Sequence, residues 1–216
     1  MIETKENIFP KIFIWLCIGL FVTFGTGYYI QDNEPLLNTI FGGPNYFLIW
    51  IAELIIAIVL SRRIHKMSHI TAIILYLVFA GLTGLTFSTI FILYKLTSIM
   101  YVFGISAGVF LVFGVLGYTT KIDLSKLSTF LMIAILGIIL LSVVSIFVES
   151  VALNLGLTIV SLLIFIVYVA YDIQMIKRRM YNIENEDSFA VYGAFQLYLD
   201  FINIFLDLIS LFGDRK

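Results

Sequence analysis

"LYLDFINIFLDLI", residues 197–209, is apolar enough to lie inside a membrane, yet it carries two acids, Asp200 and Asp207, and an amide, Asn203. With Gln196 just before the stretch, these residues follow i, i+4, i+7 and i+11, which is one face of a helix. A polar stripe along an otherwise apolar helix is what a water-facing path needs. The bland alternative is a set of interhelical hydrogen bonds, each worth only about 0.6 kcal/mol in a membrane.

Composition supports the membrane setting. The 216 residues are 61% hydrophobic and 12% charged, with a mean hydropathy of +1.07, whereas a soluble domain is about 45–50% apolar and 25% charged. The net charge of −1 points to no nucleic-acid partner. One cysteine, Cys17, excludes an intramolecular disulfide and reads as a small apolar residue. The opening "MIETKENIFPK" mixes acids with lysines, and no small-residue cleavage site follows its apolar run, so it reads as a retained first span.

A membrane helix needs about 20 mostly apolar residues. That rule predicts an all-α integral membrane protein, one transmembrane domain over 1–216, with spans near 9–30, 43–61, 70–94, 98–118, 128–148, 152–176 and 189–212. "QDNEP", "RRIHK", "TKIDLSK" and "KRRMYNIENED" supply polar connections, and the junction at Lys95 is short. Ten basic residues fall in the N-terminal tail and the even-numbered connections, against three elsewhere. This bias places the N-terminus in the cytoplasm and the C-terminus outside. Asp32, Glu34 and Glu149 then lie on the outer side. Small residues at Gly81–Gly84, Gly104–Gly108, Gly114 and Gly117 are expected where helices approach closely.

Three acids sit well inside spans: Glu53, Asp172 and Asp200. Exposed to lipid, they would together cost roughly 8–10 kcal/mol on insertion scales, so they are expected to face the bundle interior or water. All three fall in the inner half of the membrane, where one neighbourhood can hold them. Two carboxylates brought close in low dielectric cannot both ionise freely, so they share a proton and titrate as a unit. His65 and His69 have i, i+4 spacing but no further ligands nearby, and read as interfacial residues.

Enzyme chemistry is not expected. Gly104–Gly108 matches the G-x-S-x-G nucleophile pattern, but inside a predicted membrane helix and with no histidine base in any span. Tyr171–Asp172 is similar to part of a membrane aspartyl protease, whose glycine motif and Pro-Ala-Leu signature are missing. No span interior holds a lysine for a retinal Schiff base.

The segments "GYTTKIDLSKL" (117–127), "AYDIQMI" (170–176) and "LYLDFINIFLDLI" (197–209), in this order and spacing, resemble the transmembrane Bax inhibitor motif family, especially its small bacterial members. The resemblance runs from the second span to the C-terminus. It implies a seven-helix bundle with the seventh helix central, acting as a pH-sensitive calcium leak in a bacterial cell membrane. By motif, the family's hydrogen-bonded aspartate pair falls on Asp172 and Asp200, its pH sensor and gate, and its second-helix acid on Glu53. The arginine of bacterial relatives falls on Ile64 in strict register, so Arg62 and Arg63 just before it are the candidate counter-charges. Asp207 stands where an amide is expected. The animal members' role in cell death follows from no residue here.

The pathway residues are therefore Glu53, Gln196, Asn203 and Asp207, with calcium held transiently on Asp172, Asp200 and Glu53. The resemblance implies calcium as the permeant ion, and no cofactor is expected. The expected partners are calcium, protons and the lipid bilayer, with the protein acting as a monomer. A proton-coupled cation exchanger and a non-transporting membrane interaction protein are the competing readings.

Overall fold

The computed structural model describes residues 8–63, 67–148, 150–182 and 185–216. Its helices, in chain order, are α1 (Phe9–Ile30), α2 (Glu34–Phe41), α3 (Asn45–Arg63), α4 (His69–Leu93), α5 (Leu96–Thr119), α6 (Ser128–Val148), α7 (Val151–Arg179) and α8 (Glu186–Phe212). Short 3-10 turns occupy Leu124–Leu127 and Met180–Asn182. All but α2 are long and apolar enough to cross a membrane. Of the most apolar window of each span, α8 buries 56% and α3 only 6%, so the seventh span is the most enclosed.

Helix ends depart from the hydropathy reading in an instructive way. Helix α7 continues three residues past 176, through Lys177, Arg178 and Arg179, and α8 starts three residues before 189, with Glu186 and Asp187 in its first turn. Hydropathy stops where apolar side chains stop, but helical hydrogen bonding continues into the interface. Bases in a last turn and acids in a first turn also complement the helix dipole. The extra helix α2 was legible but unread: Asn33 caps it by accepting from the Leu36 N–H at 3.2 Å, and Pro35 sits in its first turn. Gly43, at φ +73°, turns the chain from α2 into α3.

The chain divides into two compact units, residues 1–95 with 180–198 and 215–216, and residues 96–179 with 199–214. Helix α8 contributes its first half to one and its second half to the other.

In the first unit, α1 and α4 pack through small residues. A side chain at Gly84 would bring its Cβ within 2.6 Å of Thr26 Cβ and 2.8 Å of the Thr23 carbonyl oxygen. The Tyr76 hydroxyl occupies the space above Gly19 and donates to the Trp15 carbonyl at 3.0 Å. Phe79 and Tyr76 of α4 meet Phe195 and Tyr198 of α8 edge to face, with centroids 5.3–6.4 Å apart. Thr23 Oγ1 donates to the Ala80 carbonyl at 2.9 Å and lies 2.6 Å from the Tyr198 hydroxyl. Since Thr23 has one proton, Tyr198 is the donor of that second bond. Thr83, near Tyr198, donates its own hydroxyl proton to the Phe79 carbonyl at 3.0 Å. Tyr198→Phe strips the bond to Thr23 from a fully buried site. It should cost about 1–2 kcal/mol, read as a lower midpoint of thermal unfolding in detergent.

The Lys95 junction is closed by the C-terminal tail. Tyr94 is extended and bridges Arg215, and Lys216 donates from its backbone N–H to Leu93 and from Nζ to Phe91, at 3.0 and 2.7 Å. The orphan carbonyls of the last turn of α4 thus receive N–H donors and a positive charge.

In the second unit, α5 crosses α7 where Gly117 lies against the Ala170 backbone, its virtual Cβ 2.6 Å from Ala170 Cα. Gly81, Gly104 and Gly108 have open space around them, contrary to the expectation from their spacing. Within Gly104–Gly108 the buried residue is Ser106, whose hydroxyl donates to the Val102 carbonyl at 2.8 Å. Spacing places small residues on one helix face; only packing decides whether a neighbour occupies that face.

Candidate functional site

The second unit holds the carboxylate pair. Asp172 lies on α7 and Asp200 on α8, only 8% and 3% exposed, and their carboxyl groups hydrogen-bond each other. Two carboxylates offer acceptors alone, so this bond exists only when a proton sits between them. Asp200 Oδ2 receives no donor from the described residues. Burial of both groups excludes the water that would otherwise solvate their charges, which is why one proton matters so much here.

Arg179, at the end of the same helix, interacts electrostatically with Asp172. Their seven-residue separation puts both on one face of α7 two turns apart. That relation is readable in "DIQMIKRR" from spacing alone. Arg62 is exposed near the end of α3, while the side chain of Arg63, together with Ile64 and His65, lies outside the described residues. Tyr168, one turn before Asp172, interacts electrostatically with both aspartates.

Around this pair the family segments acquire mechanical roles. Gln174 donates from Nε2 to the Ile122 carbonyl at 2.8 Å and accepts from the Leu124 N–H at 2.9 Å. One side-chain amide thereby satisfies both backbone polarities of the α5–α6 connection. Lys177 donates to the Tyr118 carbonyl at 2.8 Å and stacks 4.1 Å from the Tyr118 ring centre. Arg178 pairs with Asp123 at 2.6 Å. The Ser125 hydroxyl and backbone N–H, and then Arg178, hold the exposed Asp123 carboxyl below its ordinary value of 3.8. A depressed acid stabilises the folded form above its ordinary range, so this contribution is lost only as pH falls through the folded value.

The remaining predicted residues are distributed. Asn203 donates to the Leu199 carbonyl at 2.7 Å, one turn back on its own helix. Asp207 is half-buried and hydrogen-bonds Ser161 of α7, with Oδ2 unpartnered. Gln196 and Glu53 belong to the first unit. Gln196 Oε1 is buried without a partner, and Glu53 lies beside Thr83 with its Oε1 left without a donor. Among the described residues no three His, Cys, Asp or Glu side chains gather as a metal site. Asp32 and Glu34 are exposed, and Glu149 lies outside the described residues. His69 packs edge to face on Trp15, with centroids 6.5 Å apart.

Seven membrane-length helices among the described residues, with a pair of buried carboxyl groups on the last two, define a multi-pass helical membrane protein. The chain belongs to the Bax inhibitor-1-like family, described as "Inhibitor of apoptosis-promoting Bax1", which matches residues 5–216. It is 35% identical over 217 aligned residues to the inner membrane protein YbhL of Escherichia coli K12, covering 98% of this chain and 93% of that one. An uncharacterized protein of Borreliella burgdorferi is 36% identical, covering 98% and 94%. An uncharacterized membrane protein of Streptococcus pyogenes is 34% identical, covering 96% and 93%.

Proposed function

We propose that this protein is a pH-sensitive calcium leak of a bacterial cell membrane, acting as a monomer with its N-terminus in the cytoplasm. The observation that carries the reading is the hydrogen-bonded pair Asp172–Asp200, buried on adjacent spans of one unit. When the shared proton leaves, two anions face each other in low dielectric. They then either separate or accept a cation between them. Calcium takes six to eight oxygen ligands when held tightly. Two carboxylates beside the Tyr168 phenol offer far fewer, which suits an ion passing through better than one stored. Asp207, bonded to Ser161, and Asn203 continue the oxygen-lined face of α8 beyond the pair, and Glu53 and Gln196 supply further oxygens in the first unit. Arg179 is the charge positioned to take up a freed Asp172.

Purified protein in vesicles loaded with a calcium-sensitive dye tests the reading. A leak carries calcium only down its gradient, faster as pH rises, with no proton counterflow. Uphill calcium movement driven by a pH step would establish exchange instead, and no flux at any pH would leave an interaction protein. The orientation has its own check: single cysteines at Asp32 and Lys126 should label only from outside and only from the cytoplasm, respectively.

A further inference from the structure

The first unit contains a cavity of about 460 Å³ between α3 and α4, lined by Phe47, Trp50, Glu53, Leu54, Ala57 and Phe79 among others. Its size falls within the roughly 300–1,000 Å³ of small-molecule sites. Phe47 and Trp50 are 68% and 55% exposed, so the cavity opens on the surface that a membrane span turns toward lipid. Its inner wall is firm, because Phe79 is packed against Phe195 and Tyr198. Among the described residues, Glu53 is the one ionisable group on this wall. Its carboxyl lies beside Thr83, whose hydroxyl donates to the Phe79 carbonyl at 3.0 Å, and Oε1 is buried with no donor.

We infer that this cavity binds an amphiphilic organic amine, with the ammonium on Glu53 and the apolar body between Phe47, Trp50 and Phe79. A buried carboxyl oxygen without a donor is costly. An acyl chain would cover the aromatic wall and leave Oε1 as it is. Water would satisfy Oε1 and wet the aromatics. An ammonium on a hydrocarbon tail does both: its N–H groups make charge-assisted bonds to the carboxyl, and its charge is attracted to the faces of the rings. From Arg63, Glu53 lies ten residues up α3, roughly 15 Å at the rise of a helix, a depth that such a ligand reaches from within the bilayer. The site rests on α3, α4 and the first half of α8, and its occupancy does not require that the Asp172–Asp200 pair gate anything.

The chain has two tryptophans, so Trp15→Phe leaves Trp50 as the sole emitter. In phosphatidylcholine nanodiscs, ω-bromoundecylamine should quench Trp50 along a saturable curve, while ω-bromoundecanol should give only the gradual quenching of membrane partitioning. Glu53→Gln should raise the amine concentration for half-quenching about tenfold to a hundredfold, the worth of a charge-assisted hydrogen bond. Ala57→Phe fills the cavity without touching the carboxyl and should abolish saturation, which keeps the test intact if the Glu53 variant folds poorly. Asp172→Asn should leave the curve unchanged, separating this result from the calcium reading. Amine and alcohol quenching alike in wild type and Glu53→Gln would mark an acyl-chain groove and overturn the proposal, as would saturation that survives Ala57→Phe.

Discussion

Asp172→Asn and Asp200→Asn proteins should insert and fold, yet carry calcium at rates that no longer respond to pH. Asparagine preserves the size and one carbonyl acceptor of aspartate and adds an amide donor, so each variant can still bridge α7 and α8 by a hydrogen bond. What disappears is the proton that the wild-type pair must share. In wild type, acid keeps the pair bonded because a fully protonated pair still has a donor. Rising pH removes the bridging proton and leaves two buried anions, so flux should climb with pH. Coupling between sites is usually worth about 1–3 kcal/mol, or 5–150-fold; in either variant that range should collapse to within about twofold by the same measure. By reciprocity, calcium should release protons from the wild-type pair, observable as acidification of weakly buffered protein on calcium addition. Two variants that both keep the wild-type profile would move the switch off this pair, with Glu53 next to be replaced.

Gly117→Ala should be destabilised by about 1–3 kcal/mol, a typical overpacking cost, although alanine is the better helix former. Its methyl would sit 2.6 Å from Ala170 Cα and 2.8 Å from the Ala170 carbonyl carbon. These are backbone atoms of α7, so no rotamer change relieves the clash and the two helices must part. The same substitution at Gly104 adds a methyl where nothing lies within 4 Å. There the gain in helix propensity, up to about 1 kcal/mol, should dominate. Thermal unfolding of the pair in one detergent isolates the close crossing, because propensity changes equally in both. A Gly117→Ala protein as stable as Gly104→Ala would mean that α5 and α7 do not meet at Gly117. Because Asp172 lies only two residues beyond Ala170, Gly117→Ala should also disturb the pH response of flux.

The spans, and the face of α8 that carries Gln196, Asp200, Asn203 and Asp207, were set by the amino-acid sequence alone, because both depend on local pattern. Twenty apolar residues must be helical in lipid whatever they touch, and residues four and seven apart share a face in any helix. The meeting of Asp172 with Asp200 followed from the resemblance, which supplied a long-range pairing that no local pattern holds. Partners elsewhere were decided by tertiary structure. Arg179 comes to act on Asp172 because α7 stays helical for two turns beyond it. The carboxyl of Glu53 meets Thr83, and Thr83 meets Tyr198, only because α3, α4 and α8 converge in the first unit. Gly117 is a crossing point and Gly104 is not, though both are small residues on the same helix. In a bilayer every span is apolar on all sides, so hydrophobicity cannot say which face meets a helix and which meets lipid. Steric fit between backbones and the need to satisfy buried polar atoms make that choice.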